Sequence, residues 1–100
     1  MLSYQEAVSL VEREIARLDS LPDGDSWAVH LDKTIERPFG WVFFFDSTLH
    51  AQTGEAKYAV AGNAPLIVNR NTGEVLPTGT ARPVEQYISE YEERHAQPRA

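Results

Sequence analysis

Cysteine is absent from this sequence. Disulfides, thiol nucleophiles, thiolate zinc sites and iron–sulfur clusters are thereby excluded, and the composition fits a reducing cytoplasm. Long apolar runs are also missing: the longest, Trp41 to Phe45, is far too short to cross a bilayer. The N-terminal Met-Leu-Ser-Tyr-Gln-Glu has no basic segment ahead of an apolar stretch, so the expectation is a soluble, unexported, cytoplasmic chain without a membrane role. Cations are scarce. Nine Lys and Arg stand against 15 Asp and Glu, a net charge of −6. The nine are scattered singly from Arg13 to Arg99, leaving no basic patch to meet nucleic-acid phosphates or anionic lipid. Residues 19 to 32 carry Asp19, Asp23, Asp25 and Asp32 with no Lys or Arg among them. If charge selects a partner, the partner is basic; the alternative is an acidic loop that serves only solubility.

What is present suffices for one compact domain. The 100 residues are 42% hydrophobic, and a chain of this size buries roughly 60 to 70% of its unfolded surface without metal or disulfide staples. Ser3-Tyr4-Gln5-Glu6 has capping-box form, with Ser3 and Glu6 each able to satisfy the other's backbone amide, so a helix starts there. Tyr4, Val8, Val11, Ile15 and Leu18 follow as one apolar stripe, ended by Asp19-Ser20-Leu21-Pro22-Asp23-Gly24-Asp25. Trp27, Val29 and Leu31 alternate with Ala28 and His30, which predicts a half-buried strand over 27–31. Gly40 to Phe45 has no polar alternation and predicts a central strand covered on both faces. Residues 46–56 lack a period and read as a loop. Lys57 to Ala61 reads as a short strand, and Pro65 to Asn69 with Glu74 to Leu76 as a hairpin turning at Gly73. Pro83 suits the first turn of a helix whose core face is Val84, Tyr87, Ile88 and Tyr91, with a frayed tail after His95. The predicted fold is α+β: a mainly antiparallel sheet of about four to five strands with an N-terminal and a C-terminal helix packed against it.

Catalytic and cofactor motifs do not emerge. There is no Gly-x-Ser-x-Gly for a strained nucleophile. His30, His50 and His95 lie in no spacing that puts two metal ligands on one helical face. Asp23-Gly24-Asp25 resembles the opening of a calcium loop, but a twelve-residue frame from Asp23 ends on Thr34 where an acidic ligand is needed. The glycines are spread singly, so no phosphate cradle forms. Glu36, Asp46 and Glu55 would make an acid–base group only if folding brought them together. No cofactor and no enzymatic role are expected.

Three blocks carry a resemblance: Thr34-Ile35-Glu36-Arg37-Pro38-Phe39-Gly40-Trp41-Val42-Phe43-Phe44, then Ala61-Gly62-Asn63-Ala64-Pro65-Leu66-Ile67-Val68, then Gly79-Thr80-Ala81-Arg82-Pro83-Val84-Glu85-Gln86-Tyr87-Ile88. In order and content they resemble the immunity protein 35 family, also called YrhB-like. The resemblance implies a small bacterial α+β protein that binds a cognate polymorphic toxin domain and has no catalytic residues; a chaperone-like protein holding unfolded clients is the alternative. Nothing indicates a homo-oligomer. Because Gly40, Pro65 and Pro83 have structural explanations, toxin contacts are expected in loops outside the blocks. Asp23 and Asp25 in the first loop and Asp46, His50 and Glu55 in the second are the candidates.

Overall fold

The computed structural model describes residues 1–18, 21, 24–54, 64–79 and 81–94. Helix α1 (Tyr4–Ile15) starts as its capping box requires: the Ser3 hydroxyl accepts from the Glu6 amide at 3.1 Å, and Glu6 accepts from the Ser3 amide at 2.9 Å. Its fully buried stripe is Ala7, Val11 and Ile15. Tyr4 remains partly exposed while its ring meets Trp41 and Phe43 at 6.1 and 5.9 Å. Leu18, expected on the stripe, lies past the end of the helix and is exposed.

Strands β1 (Trp27–Val29), β2 (Ile35–Arg37), β3 (Gly40–Phe43) and β4 (Phe45–Ser47) form one long interrupted hairpin. Trp27 to Val29 pairs with Ser47 to Phe45, and Ile35 to Arg37 with Val42 to Gly40, all antiparallel. The register steps by three residues between the two halves, and those three, Leu31, Asp32 and Lys33, are extruded as a 3₁₀ turn. The expected strand over 27–31 therefore ends at Val29, and Leu31 points to solvent instead of the core. The loop expected over 46–56 is likewise replaced in its first part by the end of β4 and by α2 (Thr48–Thr53), capped by Ser47 and closed by Gly54 at φ 68°. Strands this short carry too few residues to show a period.

β5 (Leu66–Asn69) pairs with β3, and β6 (Val75–Pro77) with β5, giving a four-stranded sheet in the order β2-β3-β5-β6 beside the two-stranded β1-β4. The predicted hairpin is the β5–β6 pair, turning at Gly73 with φ 76°. α3 (Val84–Arg94) follows Pro83, whose carbonyl accepts from the Gln86 amide at 3.0 Å. Among the described residues every pairing is antiparallel and the strands number six in two sheets; helices at both ends flank the sheets, so the α+β class is as the sequence indicates. The strand expected over 57–61 and the tail after His95 lie outside the described residues.

The unbroken apolar run at Gly40–Phe45 has the cause inferred from its sequence. Trp41, Phe43 and Phe45 face α1 with Leu66 and Val68, whereas Val42 faces α3 with Ile67, Ile88 and Tyr91, and Phe44 packs on that side. Burying each such side chain contributes about 1.5–3 kcal/mol. Among the described residues no helix is long and apolar enough to cross a membrane.

Candidate functional site

Three of the five predicted contact residues converge on one corner, where β4 runs into α2. The Asp25 carboxylate accepts from the amides of Ser26 at 2.8 Å and Leu49 at 3.0 Å, and from the Ser47 hydroxyl. It thereby ties the chain ahead of β1 to the first turn of α2. Burial pushes the Asp25 carboxyl up, but the bonds from Ser47 and from the Leu49, Ser26 and Thr48 amides outweigh it and hold the group below its ordinary range. Asp46 accepts from the Ser47 amide at 2.7 Å and meets His50 Nδ1 at 2.6 Å. Thr48 completes the corner, its amide and hydroxyl both donating to the Ser26 carbonyl at 2.7 and 2.9 Å. Asp23 and Glu55 lie outside the described residues.

A serine, a histidine and two aspartates in one corner invite a catalytic comparison, and the geometry answers it. His50 is held through Nδ1 by an aspartate, as a general base would be, but the Ser47 hydroxyl is fully buried and engages Asp25 and the His50 backbone amide, not the imidazole. Glu36 and Asp46 do not pair either: Glu36 on β2 meets Arg70 at 3.3 Å, while Asp46 serves α2. Among the described residues no three His, Asp or Glu side chains are grouped as a metal site.

Two further polar clusters were not visible in the sequence, because each joins segments far apart along the chain. The Arg70 guanidinium lies 4.7 Å from the Trp41 ring centroid and donates to the Arg37 carbonyl at 2.8 Å. The Arg70 amide donates to the Phe39 carbonyl and its own carbonyl accepts from the Leu2 amide, each at 2.8 Å, so one residue fastens the β2–β3 turn, β5 and the start of α1. Asn69, also buried, donates through Nδ2 to the Tyr91 hydroxyl at 3.0 Å while its Oδ1 accepts from the Asn71 and Thr72 amides. Tyr91 donates onward to Glu74 at 3.2 Å, and burial, with the Glu74 bond, raises its phenol above the usual value. These clusters hold α3 and the turns to the sheet; they present no reactive group to solvent.

A further concavity lies elsewhere. α1 packs against β5 and β6. A groove of about 480 Å³ is left between α1 and β1.

The family model for immunity protein 35 matches residues 5–93. The chain belongs to the immunity protein 35 family. The match runs from the first turn of α1 to the end of α3 and so takes in the whole scaffold described above, including the three blocks that carried the resemblance. The chain is also 40% identical over 57 residues to the uncharacterized protein YrhB of Escherichia coli (strain K12), a match covering 57% of this chain and 61% of that protein. The chain thus spans about three-fifths of the length of that relative. No solved structure matches it. Gly40 and Pro83 have structural duties in this scaffold: Gly40 opens β3 against β5, and Pro83 precedes α3.

Proposed function

We propose that this chain is a bacterial immunity protein that binds the toxic domain of a cognate polymorphic toxin and neutralises it by occupying its surface, with no reaction of its own. The observation that carries the reading is the family match across residues 5–93. The geometry supports it: the histidine and carboxylates of the α2 corner are spent on internal bonds that stiffen the loops, which suits a preorganised binding scaffold. The 100 residues act as one domain, in the cytoplasm, and the net charge of −6 favours a basic partner surface. Asp25, Asp46 and His50 serve that role by shaping the corner more than by direct contact.

The chaperone-like alternative requires an exposed apolar patch larger than a monomer ordinarily shows. Among the described residues the exposed large apolar side chains are Met1, Tyr4, Leu18 and Leu31, spread from the N-terminus to the 3₁₀ turn, as on an ordinary surface. The test is co-expression with the product of the adjacent reading frame. Growth arrest by that product, relieved by this chain, is the expected result; arrest that persists at full expression of this chain overturns the proposal.

A further inference from the structure

Three features compete for a further role. The α2 corner has the carboxylates of Asp25 and Asp46 engaged within the fold. A smaller hollow beside α3, lined by Thr78, Tyr87 and Arg94, shows no feature that selects an occupant. The groove between α1 and β1 differs, because its shape and its charge point the same way.

The groove is walled by Val8, Glu12 and Ile15 of α1 and by Trp27, Val29 and Leu31 of the facing segment. Its volume of about 480 Å³ falls in the range of sites that enclose a small ligand or a pair of side chains, about 300–1,000 Å³. The floor is apolar and partly exposed: Val8, Trp27 and Val29 are half-buried against the α1-side core. It is also stiff, since the Trp27 ring stands edge-on to Phe45 at 5.3 Å. Leu31 is thrust out at the rim, 46% exposed, by the three-residue register step that makes the 3₁₀ turn. Leu31 thus stands at the mouth of the hollow, beside the half-buried Trp27.

The charge in the groove's described lining is negative. Glu12 is the charged side chain in its wall and makes no ion pair among the described residues. Asp32 is exposed next to Leu31, and Lys33 closes the turn beyond. An apolar hollow with an unpaired carboxylate in its wall complements an apolar side chain that carries cations beside it.

We infer that the α1–β1 groove is the docking site for the partner protein, and that it receives an apolar or aromatic anchor residue flanked by Lys or Arg. The inference rests on the proposed function for the partner's being a protein, and it adds the surface and the chemistry. Glu12 meets the flanking cation; Trp27, Val29 and Leu31 enclose the anchor. The acidic character of the whole chain steers the same partner towards it.

The test uses the full chain, isotope-labelled, titrated in solution with two blocked peptides, acetyl-Lys-Lys-Leu-Trp-Lys-Lys-amide and acetyl-Glu-Glu-Leu-Trp-Glu-Glu-amide. The amides of Glu12, Val29 and Leu31 are expected to shift with the basic peptide, and Glu12→Lys to weaken its binding about tenfold while the acidic peptide binds no better than that variant. Both substitutions used, Glu12→Lys and Leu31→Asp, are at exposed positions, and unchanged thermal unfolding verifies the fold. Equal affinity for the two peptides, or shifts confined to another face, overturns the inference. The same variants in the co-expression assay separate the two proposals. If the peptide maps to the groove yet wild type gives no protection, the function fails and the groove stands; if protection survives both substitutions, the groove fails and the function stands.

Discussion

Replacing Gly40 by alanine should separate the β2–β3 hairpin from β5. Gly40 has φ 149°, a conformation closed to side-chain-bearing residues, and opens β3 directly opposite Asn69. A Cβ placed there would stand 1.9 Å from the Val68 carbonyl oxygen and 3.0 Å from the Arg70 amide nitrogen. Both neighbours are backbone, so no rotamer change relieves the overlap. The strands must part, and the bond from the Arg70 amide to the Phe39 carbonyl is the first to lengthen. Strain at a forbidden backbone angle costs about 1–3 kcal/mol, and each weakened hydrogen bond adds about 1 kcal/mol. The expected loss is therefore about 3–5 kcal/mol, a large part of a stability of roughly 5–15 kcal/mol. Urea unfolding followed by tryptophan fluorescence measures it, with Gly54→Ala as the comparison. Gly54 also has positive φ, at 68°, but an added Cβ there meets nothing within 4 Å. That variant should lose only the cost of a left-handed residue, about 1–2 kcal/mol. If the two variants lose the same amount, or if Gly40→Ala loses less than about 1 kcal/mol, the close approach of β3 to β5 is not what that glycine is for.

Tyr91→Phe should cost about 1–3 kcal/mol, because it strips the buried Asn69 Nδ2 of its acceptor while leaving the packing intact; chemical denaturation reads this directly. Phe43→Ala removes a fully buried ring from the α1-side core and should cost about 3–5 kcal/mol, read as a lowered denaturation midpoint. Asp25→Asn should abolish part of the pH dependence of stability. The folded-state pKa of Asp25 lies below its ordinary 3.8, so its stabilisation is complete above that value and is lost as pH falls through the folded pKa. The wild-type advantage over the variant in urea midpoint should be constant at neutral pH and shrink in acid; an advantage that grows in acid contradicts the assignment of Asp25 as an ionised cap.

Long-period features were plain in the sequence and short or long-range ones were not. α1 and α3 each show an apolar face repeated over several turns, and the capping box marks the start of α1. The run Gly40 to Phe45 betrayed a strand covered on both sides because no polar residue interrupts it. β2 and β4 are three residues each and α2 is six, too short for a period to rise above chance, so no element was expected over β2 and a loop was expected over 46–56. The extrusion of Leu31 depends on register, which only the pairing of both arms decides. Asp25, Asp46 and His50 were picked for loop position and charge, and the fold does bring them together, though as mutual supports. Arg70 looked like a turn residue. Its anchoring role arises from Trp41, Arg37 and Leu2, which folding alone brings to it.

The central claim is inhibition by occupation, and stoichiometry tests it most directly. With a fixed amount of the toxin domain from the adjacent reading frame, residual toxin activity is measured as this chain is added. A straight decline ending at one molecule of this chain per toxin molecule is the predicted result. Full inactivation at a small fraction of that ratio would mean that each molecule disarms many, and would contradict it.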